Sequence, residues 1–241
     1  MLLNDALSES DLAGSPMTIN GMKPLQLAGD SGGIDLTKSG FFNRKCVVWA
    51  AEEFQWPGYE PVQLYRLNKV LDEQDFWPLS VMHDLMMLGK LMSHRKDKVV
   101  LTSAGKALLE NFGKLQALLF ETYFTRYDFR ANERFPNNIE HDDYRHFFGV
   151  TANRLADWVT LVEFAHMCLP VPLIQGHLGR PEFEACLHVS GNLVRPLCWL
   201  GLMEEAEAPR RTPIEQRRIR KTALFDRFLQ FRGSKSNIVY H

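Results

Sequence analysis

Between Leu79 and Ala107 the spacing of apolar residues changes period twice, and few architectures accommodate that. Leu79, Met82, Leu85, Met86 and Leu88 keep helical spacing up to Gly89, a residue suited to ending a helix. Residues 90–93 and 99–102 then read as two short strands around the tight basic turn His94-Arg95-Lys96-Asp97-Lys98. Ser103 opens a further helix that runs to about Tyr123. A helix, a tight hairpin and another helix in immediate succession place the hairpin beside the helix that precedes it.

Two more helices are predicted upstream. Val47, Val48, Ala50, Ala51 and Phe54 form an apolar stripe stopped by Trp56-Pro57-Gly58, and Val62, Leu64, Leu67 and Val70 form a second one after Pro61. Three helices followed by a hairpin and a helix is the order of a winged helix-turn-helix domain. The second half repeats it. Leu85-Met86-Met87-Leu88-Gly89-Lys90-Leu91-Met92 aligns with Leu197-Cys198-Trp199-Leu200-Gly201-Leu202-Met203-Glu204 at an offset of 112 residues. Residues 100–112 align with 219–231 at an offset of 119, so the second wing is expected to be 7 residues longer. Residues 155–169 supply the first helix of this half and 182–189 the second.

The fold class expected is therefore mainly α with short β-hairpins, arranged as two tandem winged helix-turn-helix domains. Residues 1–35, rich in turn formers such as Gly14, Ser15, Pro16, Gly29, Gly32 and Gly33, read as an N-terminal arm. The first domain spans 36–124, a linker with a short helix 125–150, the second domain 151–235 and a tail 236–241. Trp158, Val162, Leu193, Leu197, Leu200, Leu224 and Phe228 are the anchors from which the second domain is expected to close its own core.

The Leu36-Thr37-Lys38-Ser39-Gly40 motif and the Leu101-Thr102-Ser103-Ala104-Gly105-Lys106-Ala107-Leu108 exit of the hairpin resemble the C-terminal segment of the insertion-element passenger-type family of uncharacterised bacterial proteins, over roughly residues 34–120. The resemblance implies a bacterial origin and a winged-helix fold, and it brings no catalytic residues with it.

Charge bears on function only locally. The chain has 28 Lys+Arg against 29 Asp+Glu and a formal net charge of -1, which excludes a uniformly basic coat protein. Residues 208–241 carry +7, leaving -8 for the remainder. Such segregation lets one face attract a phosphate backbone by releasing condensed counterions. Arg95, Lys96 and Lys98 occupy the first wing, and Arg210, Arg211, Arg217, Arg218, Arg220 and Lys221 flank the second. Groove reading needs Arg, Lys, Asn or Gln on a third helix. Residues 78–89 offer none of these, whereas Asn192 and Arg195 stand on the counterpart, followed by Pro196. The second domain is thus the expected reader, with double-stranded DNA as partner.

No metal, cofactor or catalytic residue is expected. Asp142 and His146 share a helical spacing within His141-Asp142-Asp143-Tyr144-Arg145-His146, but acids there suit a helix start without any chemistry. Cys46, Cys168, Cys186 and Cys198, with His166, His177 and His188, contain no Cys-x-x-Cys and read as buried groups. There is no Gly-x-Ser-x-Gly, phosphate-binding loop or dinucleotide fingerprint. The five tryptophans read as core anchors. No window holds about 18 consecutive apolar residues and no secretory signal opens the chain, so a cytoplasmic protein without membrane association is expected. The expectation is a non-catalytic nucleic-acid-binding protein acting as a transcriptional regulator. The alternative is a protein-interaction scaffold or homodimer that buries the Met-rich third helix of the first domain against a partner.

Overall fold

The computed structural model describes residues 1–128, 144–169, 179–209 and 211–231. Its N-terminal half runs β1 (Leu2–Leu3), α1 (Pro16–Asp30), β2 (Ile34–Asp35), α2 (Arg44–Glu53), α3 (Pro61–Leu67), α4 (Trp77–Leu88), β3 (Met92–Arg95), β4 (Lys98–Leu101), α5 (Ser103–Ala107) and α6 (Phe112–Thr125). The C-terminal half runs α7 (Tyr144–Arg154), β5 (Val159–Thr160), α8 (Leu161–Cys168), α9 (Pro181–Val189), α10 (Arg195–Trp199), β6 (Met203–Glu205), β7 (Arg218–Lys221), α11 (Ala223–Phe228) and β8 (Leu229–Gln230). The fold is mainly helical with small antiparallel sheets. No helix among the described residues is long and apolar enough to cross a membrane.

Both halves build the same three-stranded sheet. In each, the last strand is central, flanked by its hairpin partner and by a two-residue strand that lies between two helices: β2-β4-β3 in one half, β5-β7-β6 in the other. The correspondence extends to single hydrogen bonds. Leu91 N–H donates to Met86 C=O (2.9 Å) as Leu202 N–H does to Leu197 C=O (2.8 Å), while Thr102 and Thr222 donate to the carbonyls of Leu91 and Leu202 (both 3.0 Å). Lys90 and Gly201 hold matching left-handed turns at φ 58° and 71°. These pairs set the offsets at 111 before the hairpin and 120 after it, in place of 112 and 119, so the second hairpin loop is 9 residues longer. A hydrophobic letter pattern tolerates a one-residue slip that backbone hydrogen bonds do not.

Residues 16–30, expected to be part of an arm, form a helix whose Met17, Met22, Leu25 and Ala28 are buried. The turn formers were its boundaries. The Ser15 side chain accepts from the Thr18 N–H, Pro16 occupies the first turn, and Gly32 and Gly33 follow the end at positive φ. The segment before it is tied down as well. β1 pairs with β8, and Arg227 bonds Asp11, whose carboxyl that guanidinium and the Ser8 hydrogen bonds hold down to about 2. Three further expectations shift. The helix from Ser103 breaks at Glu110 (φ 65°) and restarts at a cap supplied by Asn111. Residues 155–160 are not helical; a strand precedes α8, whose Thr160 and Glu163 form a reciprocal cap. Helices α9 and α10 are joined through a wide π turn over Ser190–Val194, which accommodates Pro196 where a regular helix would need its missing N–H.

The two halves share one hydrophobic core extending from Leu7 to Leu229, so the second half does not close on its own anchors. Leu193, Leu197, Leu200, Leu224 and Phe228 are buried as expected, but Trp158 and Val162 are only half-buried. Between the halves, Trp199 meets Trp56 and Trp77 edge-on at centroid distances of 5.4 and 5.1 Å. Gly201 faces the chain at Gly14 so closely that a Cβ there would lie 2.4 Å from the Gly14 carbonyl oxygen. Beside this contact the fully buried Gln116 amide donates to the Leu200 carbonyl (2.9 Å) and accepts from the hydroxyls of Ser15 (2.9 Å) and Thr18. Gln116→Ala strips partners from three buried polar groups at once. It is expected to lower the free energy of unfolding by about 3 kcal/mol in a urea titration, and a change below about 0.5 kcal/mol would show that the amide does not hold the halves together.

Candidate nucleic-acid interface

The first hairpin turns through Lys96-Asp97, with Arg95 paired to Lys98 and Lys96 in left-handed backbone at φ 59°. Lys98 is neutralised by Asp35 across the sheet at 3.1 Å. Arg95 and Lys96 are exposed and make no ion pair with a described residue. The loop after β2 runs along this tip. Leu36 N–H donates to Asp97 C=O (2.8 Å), Leu36 bridges Phe42, and Gly40, at φ 85°, faces the His94 ring. Asn43 N–H donates to Asp35 C=O (3.1 Å), and the Asn43 side chain caps α2 through Cys46 N–H (3.0 Å). The start of α2 is therefore fixed at the end of β2, beside the hairpin tip.

Three more exposed cations come to this edge: Lys38 in the loop, and Arg44 and Lys45 in the first turn of α2. None of them has an ion-pair partner among the described residues. Cations at a helix N-terminus oppose the helix dipole, so local stability does not account for them. Beneath the edge lies a rigid layer. The buried Glu73 carboxylate accepts from Phe42 N–H and from His83 Nδ1 (3.0 Å), and the His83 ring stacks between Phe42 (4.1 Å) and His94 (6.2 Å). Lys38, Arg44 and Lys45 were missed by sequence reasoning because a Lys-Ser-Gly turn and a basic pair each read as ordinary solvated surface. The available signal was the position of Arg44-Lys45 directly after the capping Asn43.

The second hairpin has a different character. Arg217 pairs with Glu205 (3.4 Å), Arg220 with Glu204 (2.5 Å), and Lys221 with Asp226 (2.7 Å) and the Ala152 carbonyl (2.8 Å). Arg220 also lies 4.4 Å over the Trp158 ring. Arg211 and Arg218 remain exposed, and Arg210 lies outside the described residues. Three of its basic side chains are thus engaged by acids from the same hairpin or the helix after it, and that reduces the charge available to a phosphate backbone.

The third helices do not present a reading face. In α4, Pro78, Leu79, Val81, Met82, His83, Leu85 and Met86 are all buried inside the chain. The Met-rich surface expected to meet a partner is core. In the second half Asn192 is buried and bonds His188 Nδ1 (3.1 Å) with its amide, while the Arg195 guanidinium lies 4.6 Å over Trp77 of the first half. Asn192 and Arg195 are brought into or beside the seam between the halves, and are not brought together with the basic residues of the second hairpin.

The site now has relatives. Residues 13–114 match the Y4jL N-terminal domain. That span takes in α1 through α5, and with them the whole basic edge. The uncharacterized protein y4jL of Sinorhizobium fredii (strain NBRC 101917 / NGR234) is 42% identical over 95 residues, which is 39% of this chain and 43% of the relative. The chain therefore covers less than half the length of that curated relative. The matched Y4jL region overlaps the 34–120 segment of the motif resemblance and begins earlier, before α1. No solved structure matches the chain.

Among the described residues no cluster of three or more His, Cys, Asp or Glu side chains forms a metal-binding group. His141, Asp142, Asp143 and His177 fall outside those residues. All four thiols are free. Burial pushes Cys46, Cys186 and Cys198 up to about 12, with nearby carboxylates adding to the rise, and raises Cys168 as well. Iodoacetamide at pH 8 is accordingly expected to leave all four cysteines of the native protein unmodified while alkylating them after unfolding. Rapid native labelling of any one, located by peptide mass, would reveal a reactive thiol and return nucleophilic chemistry to consideration.

Proposed function

We propose that the protein is a non-catalytic nucleic-acid-binding protein, a transcriptional regulator in role, built on two tandem winged helix-turn-helix units. The repeated strand order and the helix before each hairpin support that reading of the architecture. The observation that carries the function is the edge formed by Lys38, Arg44, Lys45, Arg95 and Lys96. These are exposed cations gathered on one border, none ion-paired with a described residue. The contact thus moves from the second hairpin, where the clustering of charge in sequence put it, to the first. Phosphate contacts from such an edge position the ligand and supply affinity without reading sequence.

A protein partner is the second reading, favoured by Val62 on α3, which is 82% exposed beside Tyr65 and followed by the exposed Val70. The two readings separate in one experiment. Binding of a labelled mixed-sequence oligonucleotide is measured by anisotropy across a salt series. Replacing Lys38, Arg44, Lys45, Arg95 and Lys96 by Ala is expected to abolish most affinity and to flatten the log-log salt slope by about 0.9 for each lost phosphate contact. Replacing Arg217, Arg218, Arg220 and Lys221 by Ala is expected to change it little. The opposite ranking would return the interface to the second hairpin, and no binding by the unaltered protein would leave the protein-partner reading.

A further inference from the structure

Phe41 stands out on the basic edge because it is 37% exposed on a loop that is otherwise tightly held. Its carbonyl accepts from Thr37 N–H (2.7 Å) and from the Thr37 hydroxyl (3.2 Å), and its own N–H donates back to that hydroxyl (3.2 Å). Gly40, in left-handed backbone, makes the turn that brings the chain round to it. The next residue, Phe42, points the other way, is buried, and stacks on His83 over the Glu73 carboxylate. The loop thus spends one aromatic ring on anchoring itself and holds a second outward.

The surroundings of that ring are cationic. Lys38 precedes it on the loop, Arg44 and Lys45 follow it on α2, and Arg95 and Lys96 stand on the adjoining hairpin. Of the acids on these elements, Asp35 is neutralised by Lys98 and Glu73 is buried, leaving Asp97 at the hairpin tip. A fixed aromatic face among backbone-neutralising cations is the composition of sites that hold single-stranded nucleic acid, where bases stack on the ring and phosphates follow the charges. A duplex keeps its base faces covered, and wedging a ring between them costs a few kcal/mol for each step unstacked. The features that would read a duplex groove are also missing from reach, since α4 carries no Arg, Lys, Asn or Gln and Arg195 lies over Trp77.

On these grounds, and resting on the nucleic-acid reading above, we propose that the first-hairpin edge binds single-stranded nucleic acid, with an unpaired base stacked on Phe41. The stack supplies a term that the charges do not, and it is insensitive to salt. The two contributions can therefore be measured separately.

The test uses the full chain with a labelled mixed-sequence 20-nucleotide strand, the same strand annealed to its complement, and three variants: Phe41→Ala, Phe41→Leu and Phe41→Trp. The unaltered protein is expected to prefer the single strand. Phe41→Ala and Phe41→Leu should each weaken single-strand binding roughly ten-fold, with an unchanged salt slope and little effect on the duplex, and Phe41→Trp should restore it. Circular dichroism and thermal midpoints check that the exposed substitutions leave the fold intact. Equal affinity of Phe41→Ala and unaltered protein for the strand would overturn the stacking role. Preference for the duplex, or equal losses on strand and duplex, would overturn the single-strand assignment while leaving nucleic-acid binding in place. Failure of the unaltered protein to bind either would remove both.

Discussion

The side chain of Gln116 decides how the two halves of this protein face each other. Its amide has no access to water, and its polar atoms are matched by the Ser15 and Thr18 hydroxyls at the start of α1 and by the Leu200 carbonyl at the end of α10. An amide so placed is costly unless every partner is in register, so it specifies one arrangement of the halves more sharply than apolar contact could. Gly201 reinforces that register, because only a residue without a side chain lets the second half come so close to Gly14. The tryptophan cluster fills the rest of the seam.

From that arrangement follows which surfaces are left for function. With α10 turned toward the first half, Arg195 lies over Trp77 and Asn192 is buried, so the residues best equipped to read bases are engaged at home. Intramolecular pairing similarly engages most of the second hairpin's charge. The first hairpin and the start of α2 face away from the seam, and their cations are held in place by the Glu73–His83–Phe42 layer without being neutralised. Structure and electrostatics thus direct attention to the same edge.

Much of the secondary structure was legible in the residues themselves. The period change at Gly89, the strands around the Lys96-Asp97 turn and the echo of the same letters near Gly201 located both hairpins to within two residues. Helix α1 was not legible for a physical reason. Its Gly14-Ser15-Pro16 start and Gly32-Gly33 stop are the same residues that mark loops, and what makes the interval helical is burial of Met17, Met22 and Leu25 against the rest of the chain. Nor could a single sequence show that Trp199 belongs to an interface, since a ring buried in a domain and one buried between domains obey the same pattern. The charge count misled most. Residues 208–241 carry +7 as a segment, but Glu204 and Glu205 lie just outside its limits and stand opposite Arg220 and Arg217 in the folded hairpin. Conversely, Lys38, Arg44 and Arg95 are far apart in sequence and are gathered only by the β2–β4 pairing.

Amide chemical shifts of the 15N-labelled protein, followed through titration with a short oligonucleotide, test the placement of the interface most directly. The account predicts that the largest changes fall on residues 37–45 and 94–97, with residues 203–205 and 217–221 close to their free positions. Changes concentrated on the second hairpin or along α10, with the first hairpin unmoved, would contradict it.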